Sequence, residues 1–318
     1  MNKPGVVLIS TLFIVMVMSI ISIEISKKFL LSIQRDSYLE FKNYGLQLLI
    51  SSEKEAIKSI QKENILSNAK LTNKDLVLNQ SYFFSNELAT IQVDVSDASN
   101  CFNLNSIFSK NNDVIKINQA NKFWLERLLS LHGVSPADIE SFIDQLVDWV
   151  DADNQPLNYG AENYFYIGPL SSIHQFTPKR LLSNISEIKN FPILNNISYE
   201  NISNDLCVLP GIPLQLINVN TLNEVHKYLI ASFFGEENLE FIESQILDFP
   251  QNGYDSVDEF VKKFTQSTTW PQQVLSTNTN TLLISSKIYN QNFSNELDSL
   301  VILDISNSVK VLNRDFRF

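Results

Sequence analysis

The N-terminal part of the chain combines an apolar stretch with an amphipathic one. Residues 6–23 carry no charged side chain and are just long enough to cross a hydrocarbon core as a helix. Apolar residues at helical spacing then continue past Glu24 to Leu49, and no proline interrupts residues 6–61. The pattern favours one continuous helix over residues 6–62, with its membrane-spanning part at 6–23, over an anchor followed by a separate helix.

The charges around the apolar stretch predict how the chain is oriented in a membrane. Lys3 is the one charged residue ahead of residues 6–23, and positive charge stays on the cytoplasmic side. The N-terminus is therefore expected in the cytoplasm and the rest of the chain outside it. A secretory signal peptide is the alternative, because Ser19 and Ser22 supply small residues near the end of the stretch.

The remaining pattern places strands at both ends of the chain and helices between them. Alternating residues at 89–96 predict a half-buried strand, and residues 101–107 predict a second extended piece. Helical spacing follows at residues 120–131, 136–150, 185–189, 222–234, 239–247 and 257–264, and strands return at 281–285, 300–305 and 309–312. This order predicts an α+β fold in which residues 63–105 and 271–318 form a domain with an antiparallel sheet. An all-α domain, residues 106–270, is inserted into it.

Composition and charge exclude several classes of function. Asp and Glu number 35 against 24 Lys and Arg, so the formal net charge is −11. A chain this acidic is poorly suited to binding the phosphates of nucleic acids. Eight glycines leave little room for a glycine-rich phosphate loop. Three histidines and two cysteines exclude a zinc-finger array and a ferredoxin-type iron–sulfur protein.

The two cysteines, Cys101 and Cys207, suit an exported domain. Exported proteins fold in an oxidising space where cysteine pairs are commonly bridged, whereas two unrelated buried thiols would be expected in a cytosolic chain. Two cysteines allow one pairing. With the predicted membrane anchor ahead of them, they are expected to form a disulfide.

The densest group of potential ligands lies at the end of a predicted helix. Asp148, Asp151 and Asp153 fall within six residues there, although a helix C-terminus disfavours negative charge. If Asp151 is position 1 of a calcium loop, Asp153 and Glu162 take ligand positions 3 and 12. Position 6 needs glycine in an EF-hand and is Pro156 here, so the loop is not an EF-hand. We predict that Asp151, Asp153 and Glu162, with Asp148 as an additional ligand, bind Ca²⁺.

Other interpretations of these motifs stay open. The acidic segment could be a solvated turn without a metal, or two of its carboxylates could be the acid and base of a glycosidase. The segment Ile217–Thr221 resembles the Ile-Asn-x-Asn-Thr sequence that precedes a helix in DNA-binding helix-hairpin-helix modules, with Thr221 as the N-cap. The net charge and the scarcity of Lys and Arg nearby favour a purely structural role for it.

Together these segments resemble one protein family, the minor pseudopilin K of type II secretion systems, also called general secretion pathway protein K. The resemblance rests on Lys3-Pro-Gly5, Cys101-Phe-Asn-Leu-Asn105, Asp148-Trp-x-Asp-x-Asp153, Gly160-Ala-Glu162, Leu206-Cys207, Leu209-Pro-Gly211 and Ile217-Asn-Val-Asn-Thr221. Tyr164, Tyr166 and the segment from Leu182 to Glu187 also match the family, whereas residues 168–178 depart from it. The resemblance extends over essentially the whole chain.

The resemblance implies a pilin-like sheet that carries an inserted calcium-binding domain. It also implies that residues 1–5 are a leader, which prepilin peptidase removes between Gly5 and Val6, and that Val6 is then N-methylated. The protein would be anchored in the inner membrane by one span, with most of the chain in the periplasm. Its partners would be the minor pseudopilins of types I and J, the major pseudopilin and the inner-membrane secretion platform, and it would not be an enzyme.

Ser10 bears on the position of such a subunit in a filament. Pilins and major pseudopilins usually carry glutamate at the fifth mature residue, where it pairs in the membrane with the N-terminal amine of a neighbour. Ser10 occupies that position here, so this chain needs no preceding subunit and can lie at the tip. The residues expected to bundle with other pseudopilin helices are Phe29, Ile33, Phe41, Tyr44 and Leu48. An exported carboxylate-dependent hydrolase and a DNA-uptake pseudopilin are the competing functions.

Overall fold

One uninterrupted helix, α1 (Pro4–Lys62), opens the chain and confirms the prediction of a continuous helix. The computed structural model describes residues 4–62, 71–85, 89–111, 114–169, 174–264, 274–303 and 308–317. Residues 1–3 of the expected leader lie outside these ranges, and so do residues 304 and 305 of the strand predicted at 300–305. At 1.5 Å per residue the 59 residues of α1 extend about 90 Å. The side chains from Leu8 to Ile33 are exposed, and this part is long and apolar enough to cross a membrane.

The second half of α1 packs on a sheet through Phe41, Leu49 and Ile60, which are buried. The ring of Phe41 lies 5.5 Å from the ring of Phe293, measured between centroids. This corrects one expectation, because Phe41 and the partly buried Leu48 serve the protein's own core. The apolar surface of α1 that faces solvent therefore lies mostly in its first half.

Five antiparallel strands form this sheet. They are β1 (Tyr82–Ser85), β2 (Thr90–Asp97), β3 (Thr281–Tyr289), β4 (Ser294–Leu303) and β5 (Val309–Arg317), and they lie side by side in that order. Alternate side chains point to α1 and are buried, among them Val93, Val95, Ile284, Leu297 and Val301. Strands β2 and β3 are neighbours although residues 98–280 separate them in the chain. That segment is an insertion into the sheet.

The inserted region is mostly helical and has a core of its own. Its α-helices are Gln119–Leu131, Pro136–Val150, Asn163–Ile167, Tyr199–Ile202, Lys227–Phe234, Leu239–Leu247 and Val257–Val261. Short strands depart from the expected all-α composition: a hairpin of Phe108–Asn111 with Val114–Ile117, and two-residue parallel pairs of Phe102–Asn103 with Leu206–Cys207 and of Ile217–Asn218 with Leu275–Ser276. The core centres on Trp124, Phe142 and Phe233 and extends to Phe102 and Leu275, beyond residues 106–270 at both ends.

A buried polar network joins the inserted region to the sheet. Asp97, at the end of β2, accepts hydrogen bonds from Thr221 Oγ1 at 2.6 Å and from Asn218 Nδ2 at 3.0 Å. The expected N-cap role of Thr221 is therefore wrong. The next helix begins at Lys227, after a 3₁₀ turn that Asn223 caps. The polar residues of the Ile-Asn-x-Asn-Thr motif hold the two parts of the molecule together.

The cysteines lie at the same junction. Cys101 and Cys207 form a disulfide with their Cα atoms 5.7 Å apart. Cys207 belongs to a two-residue strand that pairs in parallel with Phe102–Asn103. The disulfide and this strand pair together fix the point at which the chain leaves the sheet.

A buried ion pair ties α1 to the sheet. The Glu53 side chain is 1% exposed, and its carboxylate accepts hydrogen bonds from Arg314 Nε at 2.7 Å, from Arg314 Nη2 at 2.8 Å and from Ser299 Oγ at 2.6 Å. Burial raises the pKa of Glu53, but these hydrogen bonds and the Arg314 charge outweigh it and hold the pKa below its ordinary value. Because the folded-state pKa is lowered, the pair stabilises the fold above the ordinary pKa. That stabilisation is lost as the pH falls through the folded-state pKa.

We expect Glu53→Gln to lower the free energy of unfolding by about 2 kcal/mol at neutral pH, because Arg314 loses its charged partner. The cost stays moderate since the Arg314 side chain is 43% exposed and can turn to water. The deficit should shrink as the pH falls through the lowered folded-state pKa of Glu53, because wild-type Glu53 is then protonated as well. Thermal unfolding of the detergent-solubilised full chain across this pH range measures it.

The matched control for this prediction is Glu55→Gln, which changes an exposed carboxylate on the same helix. It should leave the unfolding midpoint within a degree or so of the wild type at every pH, roughly as expected for a surface pair. A Glu53→Gln deficit that stays constant down to acid pH would contradict the assigned role of the ion pair.

Candidate metal centre

The acidic cluster lies where a helix ends and a loop returns to the core of the inserted region. Ser135 caps the helix Pro136–Val150, its Oγ accepting a backbone N–H of the first turn at 3.2 Å. The apolar face of that helix is buried in the core, and Asp151 follows as the C-cap. The loop then runs to Glu162, which caps the short helix Asn163–Ile167. Both ends of the loop are therefore anchored.

Asp148 is completely buried beneath this loop and contacts its backbone. The backbone N–H of Leu157 donates to its carboxylate at 3.2 Å. Gly160 approaches so closely that a Cβ atom there would lie 1.9 Å from Asp148 Oδ2, which explains the glycine. Burial raises the pKa of Asp148, the Leu157 N–H lowers it and neighbouring acidic charges raise it, with a net value of about 7.

Asp151, Asp153 and Glu162 converge as the sequence predicts, and Asp148 does not join them. One carboxylate oxygen from each of the three lies within 4.8 Å of the other two. Asp151 Oδ1 and Glu162 Oε1 are buried atoms without a hydrogen-bond partner in the described part of the chain. Burial and the charge of Asp153 raise the pKa of Asp151, and burial raises the pKa of Glu162. Asp151 and Glu162 are therefore costly to keep charged without a cation.

The donor set fits Ca²⁺. All converging atoms are oxygens, which is the ligand type that this hard cation takes. Buried polar atoms without a partner are rare in folded proteins, and a bound cation would supply the partner that Asp151 and Glu162 lack. The hydroxyl of Tyr166 is a further buried atom of this kind. Burial and the charges of Asp148 and Glu162 raise its pKa, so it remains a neutral phenol.

The same geometry bears on the glycosidase interpretation. A glycosidase places two carboxyl groups about 5 to 9 Å apart across the bond that it cleaves. Here three carboxylate oxygens crowd within 4.8 Å of one another. A set of three mutually adjacent carboxylates is a chelating arrangement, and the spacing does not favour an acid–base pair.

The structure adds side chains that the sequence pattern did not indicate. Lys179 Nζ donates to the carbonyl oxygen of Ala152 at 3.3 Å and to Asn154 Oδ1 at 2.6 Å. Asn163 Oδ1 accepts the N–H and the hydroxyl of Thr177 at 2.7 and 2.9 Å, which fixes the segment leading to Lys179. No periodicity or motif links these residues to the acidic loop, so only the folded chain reveals them.

Part of the inserted region matches a known family, and the chain is similar to several curated proteins. The family described as Type II secretion system (T2SS), protein K matches residues 100–211. The type II secretion system protein K of Klebsiella pneumoniae is 31% identical over 175 residues, 54% of this chain and 52% of that protein. The protein K of Pseudomonas aeruginosa is 29% identical over 178 residues, 55% of this chain and 49% of that protein. The chain thus spans about half the length of these curated relatives.

Two further comparisons cover more of the chain. The putative type II secretion system protein K of Escherichia coli K12 is 23% identical over 270 residues, 82% of this chain and 79% of that protein. A chain in the crystal structure of the GspK-GspI-GspJ complex from the enterotoxigenic Escherichia coli type 2 secretion system superposes with a TM-score of 0.76 at 20% identity. The superposition covers 89% of this chain and 99% of that one, so the two share the fold.

Proposed function

We propose that the chain is a member of the type II secretion system protein K family and acts as a minor pseudopilin at the tip of a secretion pseudopilus; its similarity to that family and to its members supports this. One observation carries the proposal: the exposed apolar half of α1 leads into a sheet that bears a large inserted domain. Such a chain has an anchor, a helix for filament packing and a bulky head. Its role is to assemble and not to catalyse.

The first half of α1 supports an anchor in the inner membrane. Its apolar side chains from Leu8 to Ile33 are exposed in the isolated chain, as a helix surrounded by lipid requires. The sheet and the inserted region would then lie in the periplasm. Prepilin peptidase would cleave between Gly5 and Val6 and leave a methylated Val6 at the mature N-terminus. Outside the membrane, Phe29 and Ile33 extend the apolar surface toward neighbouring pseudopilin helices.

Two features favour the tip over the filament interior. Ser10 replaces the glutamate that other subunits pair with the amine of a neighbour, so this chain can be first. The inserted region, residues 98–280, more than doubles the size of the part that a filament built from small subunits would have to admit. A subunit that can begin a filament but is too bulky to be stacked upon belongs at its end.

The immediate partners in this proposal are minor pseudopilins of the I and J types. The chain that shares this fold comes from the structure of a GspK-GspI-GspJ complex, and the exposed apolar surface of α1 offers such partners a helix to pack on. The major pseudopilin would continue the filament, and the inner-membrane secretion platform would drive its assembly. The net charge of −11 gives no support to a DNA-uptake role.

Calcium binding is the second part of the proposal. Asp151, Asp153 and Glu162 would hold the ion, which supplies positive charge to a loop whose carboxylates repel one another. Asp148 and Gly160 would keep the loop in place beneath it. The ion would thereby stabilise the inserted region, and no step of chemistry is assigned to it.

We expect a cysteine placed at Ser10 to cross-link to pseudopilins of the I or J type and not to a second copy of this chain. The reason is that a tip subunit occurs once per filament. Cells express Ser10→Cys together with I- and J-type pseudopilins that carry an engineered cysteine in their own membrane-spanning helices, and their membranes are oxidised so that two neighbouring thiols form a disulfide. Mass spectrometry identifies the partners and checks that the mature chain starts at methylated Val6. Cells lacking the I and J types should lose the cross-link. Homotypic cross-links along the filament, or a start beyond Ser22, would overturn the proposal.

A further inference from the structure

Lys179 places a positive charge on the acidic loop itself. Its ammonium group contacts the backbone carbonyl oxygens of Ala152, at 3.3 Å, and of Asp153, and it contacts Asn154 Oδ1 at 2.6 Å. All three oxygens lie on the loop that begins at Asp151. The neighbouring cation, Arg180, donates instead to Glu187 and to a carbonyl oxygen of its own segment. Of these two neighbouring cations, Lys179 contacts the acidic loop, whereas Arg180 contacts Glu187 and its own segment.

The backbone around Lys179 is held in an unusual conformation to achieve this. Lys179 has a φ of 50°, in the left-handed region that side-chain-bearing residues rarely adopt. Such a conformation persists where surrounding contacts impose it. Two residues earlier, Thr177 donates twice to Asn163, the residue that follows the ligand candidate Glu162. Lys179 therefore contacts the start of the acidic loop, and Thr177, two residues before it, contacts the residue just after the loop ends.

We propose that Lys179 is an internal cation that sets the calcium affinity of this loop, holding it together when the ion is absent and opposing the ion when it binds. The inference rests on the calcium site proposed above. Without the ion, the ammonium offsets the repulsion among Asp151, Asp153 and Glu162. With the ion, the same ammonium stands close to a divalent cation and repels it. The loop oxygens that it occupies are also withdrawn from the metal.

The test compares Lys179→Met with the wild type as detergent-solubilised full chains. Methionine keeps the length of the side chain and removes its charge. We expect calcium alone, titrated calorimetrically, to bind Lys179→Met roughly tenfold more tightly, because a like charge near the ion is removed. In chelator, the unfolding midpoint of the variant should fall by about 3 °C, since the acidic loop loses its counter-charge.

Two further variants keep the result interpretable. Lys179→Arg retains the charge and should bind calcium with an affinity close to that of the wild type. Lys122→Met removes a charge from the helix Gln119–Leu131, where Lys122 pairs with Glu126 at 3.7 Å, and should change neither calcium affinity nor the chelator midpoint. If Lys179→Met fails to fold, Lys179→Gln replaces it under the same criteria.

The possible outcomes separate the two proposals. Calcium binding by the wild type with equal or weaker binding by Lys179→Met would overturn the role given to Lys179 and leave the calcium site standing. A wild type that binds no calcium would overturn the calcium site and with it the effect on affinity. If Lys179→Met binds calcium more tightly but its unfolding midpoint in chelator equals that of the wild type, the claim that Lys179 holds the ion-free loop together is refuted.

Discussion

Replacing both cysteines, in the double variant Cys101→Ser with Cys207→Ser, should lower the unfolding midpoint by about 10 °C, the largest stability effect expected in this protein. The disulfide closes a loop with a sequence separation of 106 residues. In the chain-entropy model a loop of this length contributes about 4 to 5 kcal/mol, because the bridge restricts the unfolded chain. Thermal unfolding of the full chain in detergent, with and without dithiothreitol, measures the effect.

The control uses the reductant itself. Reduced wild type should unfold at the midpoint of the double serine variant, and dithiothreitol should not move the midpoint of the variant, because it has no disulfide to lose. The buried polar network of Asp97, Asn218 and Thr221 is not changed by either treatment. A double variant as stable as the oxidised wild type would show that this polar network alone fixes the junction.

The elements predicted correctly are those whose signals are local. The helix Pro136–Val150 appears with the predicted bounds because Ser135, a proline at the first helical position and an apolar face at helical spacing all agree. Strand β2 appears because its alternation matches a sheet with one buried face. Helix α1 is continuous because no proline or capping signal interrupts it.

The elements missed are those decided by contacts between distant residues. Strand β1 forms because Tyr82–Ser85 pairs with β2. The hairpin of Phe108–Asn111 with Val114–Ile117 lies inside residues 106–270, which were expected to form an all-α domain. Thr221 has the side chain of an N-cap, yet its hydroxyl donates to Asp97, which lies 124 residues earlier. Local propensity gives no information about such a partner, so the N-cap interpretation failed.

The candidate metal site shows the same division. Asp151, Asp153 and Glu162 were predicted from loop spacing and do converge within 4.8 Å. Asp148 is close to them in sequence, but the helix turns it into the core, where it meets Gly160. Lys179 comes from another segment and is brought to the loop by the hydrogen bonds between Thr177 and Asn163. Spacing along one segment predicted which carboxylates converge, whereas a counter-charge from elsewhere in the chain is found only in the folded structure.

Calcium should raise the unfolding midpoint of the full chain by about 7 °C over the midpoint in chelator, at a concentration a hundredfold above the dissociation constant. Binding to the folded state alone then contributes about 2.7 kcal/mol. The physical cause is the group of three carboxylates, two of which carry buried oxygens without a hydrogen-bond partner in the described part of the chain. Thermal unfolding of the detergent-solubilised protein in calcium, in magnesium and in chelator measures the shift. Magnesium should give a smaller one, because it demands a tighter octahedral site.

Three variants make the calcium prediction specific to this loop. Glu162→Gln preserves the size of the side chain and should abolish most of the calcium-dependent shift, because it removes a charged ligand. Glu140→Gln changes an exposed carboxylate on the helix that leads to the loop and should keep the full shift. Asp148→Asn should keep the calcium-dependent shift, since Asp148 shapes the loop without joining the three converging carboxylates. Equal midpoints of the wild type in calcium and chelator would refute the site, and loss of the shift in Asp148→Asn alone would assign the ion to other ligands.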